Sequence, residues 1–112
     1  GGVGGPTPPR TMKILSWNCR GLGSPRAVRA LSRLTRVENP QIVFLMETRL
    51  KATEFENIRS KLGFKNCLSV DCSGFGRERA GGLALMWMEH LSVNISSYSI
   101  NHIHGWCDDE ET

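Results

Sequence analysis

No two of the four cysteines, Cys19, Cys67, Cys72 and Cys107, stand in a C-x-x-C spacing. The chain therefore lacks the dithiol signature and the dense disulfide framework of small secreted domains, and the cysteines read as reduced thiols. No apolar run approaches the roughly 20 residues of a membrane span, and no signal-peptide pattern opens the chain. Internal repeats are absent. The formal net charge is only +3, which permits a nucleic-acid partner without requiring one.

What is present is enough for one modest core. The 112 residues are 39% apolar and 22% charged, outside the range of disordered chains. Residues 1–11 are set apart by Gly1-Gly2-Val3-Gly4-Gly5-Pro6-Thr7-Pro8-Pro9, which reads as a flexible tail. The first methionine is Met12, which suggests an excerpt of a longer translation. One domain is expected over 12–107. An acidic end, Asp108 to Thr112, follows it.

The order of elements is legible. Met12 to Trp17 predicts a strand, and the stretch from Cys19 to Gly23 a loop. Ser24-Pro25 then places an N-cap and a first-turn proline at the start of a helix that Asn39-Pro40 ends. Ala27, Val28, Ala30, Leu31, Leu34 and Val37 share one broad half of it, while Arg26, Arg29, Arg33 and Arg36 gather on the other side. Gln41 to Thr48 is a strand whose run Ile42-Val43-Phe44-Leu45-Met46 suits burial on both faces. Thr53 and Glu56 predict a capping box for a second helix with Phe55, Ile58 and Leu62 buried and Gly63 as its stop. The period then changes to two. Strands are expected over 65–71, 83–88, from Leu91 through Ile95, and over 102–107, with a glycine-rich loop at 73–82. Trp17 and Trp87 fall within strands and read as core.

A strand, helix and strand over 12–48 form a βαβ unit with parallel strands. Such strands end on the same edge, the one at which open α/β sheets bind ligands. Asn18 ends the first strand and Glu47 the second. An amide and a carboxylate there are hard oxygen donors of the kind Mg²⁺ takes, often with only one or two carboxylates. Glu47 could equally reach solvent or pair with Arg20 or Arg49.

The motifs Ser16-Trp17-Asn18-Cys19-Arg20-Gly21-Leu22-Gly23, Ile42 through Thr48, Gly81-Gly82-Leu83-Ala84-Leu85-Met86-Trp87 and Ser99-Ile100-Asn101-His102-Ile103 follow one another in an informative order. Together they resemble the endonuclease/exonuclease/phosphatase superfamily, which includes DNase I. The pattern is most similar to the endonuclease domain of plant LINE-type (non-LTR) retrotransposon proteins. The resemblance implies the first part of a four-layered α/β sandwich carrying a metal-dependent phosphodiesterase site that acts on DNA. It implies that Glu47 binds the divalent metal, Mg²⁺ or Mn²⁺, and that Asn18 helps to position it. Nuclear work inside the cell would follow from the same likeness.

Two departures bear on activity. Arg20 stands where some relatives carry an acid. The family's later tyrosine, Asp-x-Asn and closing Asp-His motifs are not among these residues, so the chain by itself is expected to be inactive. The alternative is a non-catalytic nucleic-acid-binding or interaction module. For that reading Arg20, Arg26, Arg29, Arg33 and Arg36 are the candidate phosphate contacts, with Arg77 and Arg79 behind them, although charged helix faces often meet only water. His102 or His104 as a substitute base is weighed against ordinary sheet-surface histidines. Cys67, Cys72, His102, His104 and Cys107 contain enough soft ligands for zinc, but their spacings follow no standard pattern.

Overall fold

The structure is a computed structural model and describes residues 13–98 and 103–109. The tail at 1–11, the last residues of the acidic end and His102 lie outside the described residues. So do the side chains of His104, Trp106 and Cys107.

The elements run β1 (Ile14–Asn18), α1 (Pro25–Glu38), β2 (Ile42–Met46), α2 (Ala52–Leu62), β3 (Asn66–Val70), β4 (Leu83–Trp87), β5 (Leu91–Tyr98) and β6 (Ile103–Asp109). Four strands form one sheet in the order β1-β2-β4-β3, and β5 pairs with β6 in a separate antiparallel ribbon. β1 and β2 are parallel neighbours, as the βαβ reading requires, whereas β4 is antiparallel to both β2 and β3.

α1 forms where the sequence prescribes it. Ser24 Oγ accepts from the Ala27 N–H at 3.2 Å, and Pro25 stands in the first turn, where its missing N–H costs nothing. Asn39 closes the helix in the left-handed region at φ 47° and donates its N–H to the Thr35 carbonyl. α2 starts differently from expectation. Thr53 is inside the helix, and Lys51 is the cap residue; its N–H is taken by Glu54 Oε1 at 2.8 Å. Asp71 Oδ1 accepts from the Ala52 N–H at 2.7 Å. Two carboxylates thus satisfy first-turn donors and meet the positive end of the helix dipole, so no Thr53–Glu56 box is needed. Gly63 ends α2 at φ 82°, as expected.

Both helices cover one face of the sheet. Val43 opposes Met86 and Leu45 opposes Ala84, and all four are fully buried beneath Leu31, Phe55 and Ile58. Leu15 and Trp17 pack against this core from β1. The other face is less covered among the described residues: Phe44, Met46, Leu85 and Trp87 are half-buried and Ile14 is 59% exposed. The expectation that β2 is covered on both faces therefore holds fully for one. The packing half of α1 is also narrower than its apolar half. Ala30 is exposed and Val37 is 72% exposed, because both lie at the flank of the stripe centred on Leu31.

Candidate active-site edge

Four chain segments meet at one edge of the sheet. Asn18 is paired in register with Met46, and Met46 with Leu83. Leu83 is paired in turn with Val70. The loops after β1, β2 and β3 and the loop before β4 therefore emerge side by side.

Backbone hydrogen bonds continue past the strands and tie these loops together. The N–H of Cys19 donates to the Met46 carbonyl, that of Gly21 to Glu47, and that of Leu22 to Thr48, all at 2.8–2.9 Å. On the far side, Thr48 and Arg49 donate to the carbonyls of Gly82 and Gly81 at 3.1 and 2.8 Å. Glu47 is thus held between two neighbours. Thr48 is buried, and its Oγ1 accepts from the Leu50 N–H at 3.4 Å. Gly82 has φ 90°, and a Cβ there would collide with Thr48 Oγ1 and lie 3.1 Å from the Arg49 nitrogen. Glycine is required at that position for both conformation and space.

The same edge concentrates backbone strain. Arg20, Glu47 and Arg49 have φ of 50°, 53° and 55°; the remaining non-glycine residue with positive φ among the described residues is the helix cap Asn39. Left-handed non-glycine residues cost on the order of 1–3 kcal/mol each and gather where function over-determines the backbone. Here the hydrogen-bonded loops impose them.

Asn18 is exposed and lies on the sheet face away from the helices, in step with Ser16 and Ile14. Its Oδ1 accepts from the Arg20 N–H at 3.2 Å, which fixes the amide at the start of the loop. Glu47 follows Asn18's register partner on a neighbouring strand, about 5 Å away in the pairing direction. Glu47 is exposed, and no cation pairs with it among the described residues, so neither Arg20 nor Arg49 neutralises it. The side chain reaches solvent past the apolar residues of β2, one of the alternatives the sequence left open. Cys19, next to Asn18, is buried. Burial pushes its thiol pKa up to about 12, and the nearby Glu47 carboxylate adds to the rise. Cys19 is a neutral core thiol at this edge, not a nucleophile.

The glycine-rich loop is ordered by its own contacts. Ser73 and Ala80 exchange backbone hydrogen bonds at 2.8 and 2.9 Å. Arg79 Nη1 donates to Glu54 Oε1 at 2.7 Å and to the Arg49 carbonyl at 3.3 Å. Arg79 is therefore a clamp between this loop, α2 and the edge, and not a free phosphate contact. Sequence reasoning missed this role, because the two partners are 25 residues apart. Lys51 Nζ donates to the Cys72 carbonyl at 2.9 Å and sits 5.6 Å from the ring centroid of Phe75, which is itself 82% exposed. A groove of about 670 Å³ opens beside the edge, lined by Gly21, Arg49, Glu54, Arg77 and Arg79 among others.

Arg26, Arg29, Arg33 and Arg36 are all exposed and line one shallow depression together with Ala30 and Ser32. Arg20 is exposed in the loop before α1. Among the described residues no group of three or more His, Cys, Asp or Glu side chains could hold a metal ion. Cys67 and Cys72 are free thiols, and the other members of the zinc candidate lie outside the described side chains.

The match to the endonuclease/exonuclease/phosphatase family runs over residues 15–111. The chain belongs to that family. Both Asn18 and Glu47, and the glycine pair before β4, fall within the matched span. Among solved structures, the chain is similar to a 3′ phosphatase, NExo, from Neisseria, bound to a product DNA hairpin. The identity is 20% over 77% of this chain and 32% of that one, with a TM-score of 0.54. That likeness carries the fold. The chain spans about a third of the length of that relative. None of the curated proteins matches it. The α/β sheet with two helices on one face is the arrangement expected for the first part of the family's sandwich. No helix among the described residues is long and apolar enough to cross a membrane.

Proposed function

We propose that the edge formed by Asn18 and Glu47 is one half of a metal-dependent phosphodiesterase site that acts on DNA. The observation that carries this reading is the register: Asn18 pairs with Met46, and Glu47 is the next residue, on the sheet edge where α/β folds bind ligands. One carboxylate and one amide are the hard donors that suit Mg²⁺ or Mn²⁺, which keep several waters. Glu47 and Asn18 would hold such an ion. When bound, it would supply positive charge beside a phosphate oxygen. The clamped backbone fixes where the two side chains start, and the Arg20 N–H holds the Asn18 amide.

A retrotransposon origin is part of this proposal and rests on the strings Ser16–Gly23, Ile42–Thr48, Gly81–Trp87 and Ser99–Ile103 taken in order. By themselves the 112 residues are inactive in this proposal. Hydrolysis needs an activated water and a group that receives the leaving oxygen as well as a metal. Two donors supply neither. Incubation with supercoiled plasmid and Mg²⁺ should give no nicking; Mg²⁺-dependent nicking that Glu47→Ala abolishes would overturn the inactivity. Titration with Mn²⁺, followed by water-proton relaxation, should show weak binding that Glu47→Gln removes. Unchanged binding in that variant would overturn the metal site.

A second reading is favoured by the four exposed arginines of α1: a module that binds nucleic acid without cleaving it.

A further inference from the structure

We infer that the outer face of α1 is a second nucleic-acid contact, separate from the Asn18–Glu47 edge, that grips the phosphates of a duplex. The choice of partner rests on the nucleic-acid reading of the edge; the surface itself does not.

The first observation is where the charge lies. Four arginines against Glu38 give α1 a net charge of +3, equal to that of the whole chain. The remaining residues sum to zero. The second is geometry. At about 100° per residue, Arg26, Arg29, Arg33 and Arg36 fall within an arc of about 80° centred opposite Leu31, the fully buried residue of the helix. From Arg26 to Arg36 there are ten rises, or about 15 Å of a straight helix. Phosphates recur every ~1.7 Å of duplex axis when both strands are counted, so a row of that length has about four of them within reach across a groove. The row is rigid because the helix is docked through Leu31, and a rigid row suits a rigid backbone.

The third observation is that the helix gains little from this pattern, since only Arg36, in the last turn, meets the favourable end of its dipole. Arg26–Arg29, Arg29–Arg33 and Arg33–Arg36 are like-charge neighbours at spacings of three and four, each of which disfavours the helix. No acid stands in its first turn, where the dipole favours one, and Arg26 stands there instead. None of the four makes an ion pair among the described residues. All four are arginine, whose planar fork fits phosphate oxygens in pairs, although the chain has lysines elsewhere. A membrane surface fits less well. The apolar stripe of α1 is already buried against the sheet and cannot enter a bilayer.

Asn18 faces away from the helices, so the stripe on the outer face of α1 and the Asn18 side chain lie on opposite sides of the sheet. The stripe therefore holds a different stretch of nucleic acid from the one at the edge. It sets affinity and not the site of chemistry.

The test is binding of the chain to a 20-base-pair duplex by fluorescence anisotropy, in EDTA, from 50 to 200 mM salt. Four phosphate contacts give a log–log salt slope near −3.6, or about a 150-fold loss of affinity over that range. The fourfold Arg→Gln variant should flatten the slope by about 3.6, and the fourfold Arg→Lys variant should retain it. Should the fourfold variant fail to unfold cooperatively, Arg29→Gln and Arg33→Gln should each flatten the slope by about 0.9. Slopes unchanged within half a unit in these variants would overturn the proposal. Equal stripe-dependent binding to vesicles of anionic lipid would overturn the choice of partner. Lys61→Gln, at an exposed cation of α2 outside the stripe, should leave the slope unchanged. A slope lost in Arg20→Gln and kept in the stripe variants would place the phosphate contacts at the edge instead. Because binding is read without metal, failure of the phosphodiesterase reading leaves this outcome intact.

Discussion

The two helices lie side by side on one sheet face and bury similar anchors, yet they use charge in opposite ways. In α2, Glu54 takes the Lys51 N–H and the Arg79 guanidinium, and Arg59 pairs with Glu56 and donates to the Phe64 carbonyl at 2.7 Å. Its charges hold loops of the same chain. In α1 the cap is the neutral Ser24, and the four arginines have no acid beside them in the described structure. Charge that is paired internally reads as architecture. Charge that repels itself on a solvent face, on a helix already docked by Leu31, reads as a surface kept for something outside.

The largest test of this comparison concerns what the helices share. Phe55→Ala should cost about 3–5 kcal/mol and Leu31→Ala about 2–5 kcal/mol in denaturant unfolding, since both side chains are fully buried. A silent Leu31→Ala would mean that α1 is not docked, and the rigid row of arginines would fail with it. Next in size is the cap. Ser24→Ala should cost about 1 kcal/mol, because the Ala27 N–H loses its acceptor. Smaller still, and of opposite sign, is the stripe. Replacing all four arginines by glutamine removes three like-charge pairs at ~0.2–0.5 kcal/mol each, so thermal stability should stay level or rise slightly. A marked fall would show that the arginines are structural after all.

The subtlest effect is that of acid. Glu54 has its pKa lowered, first by the Lys51 backbone N–H and then by Arg79. A carboxylate with a depressed folded pKa contributes above its ordinary value of 4.5 and loses that contribution as pH falls through the lowered one. Below pH 4.5, amide exchange in the loop 73–82 should therefore rise relative to the sheet. Glu54→Gln should reproduce the effect at neutral pH. An acid response that survives Glu54→Gln would remove the clamp from the argument.

Some of this was readable before any coordinates. Ser24-Pro25 and Asn39-Pro40 bound α1 because caps act within a turn of themselves. The parallel pairing of β1 and β2 followed from a strand-helix-strand order, and it brought Asn18 and Glu47 to one edge. Other features were not readable. Val37 has the right chemistry for the core but no neighbour to cover it. Arg79 looks like a phosphate ligand until Glu54 and the Arg49 carbonyl are found beside it. The Gly81-Gly82 pair was the one local hint that the backbone passes close to another segment there.

The sequence alone determined the order of elements and the periodicity of each, because these depend on residues within a few positions of one another, and the strand-helix-strand order then brought the amide and the carboxylate to one edge. Only the tertiary structure decided which apolar residues are covered and which arginine is spent on a clamp. It also decided that Glu47 is held in a left-handed conformation between Gly21 and the glycine pair before β4. Those outcomes depend on segments 25 to 35 residues apart in the chain, and no local pattern records which of them will meet.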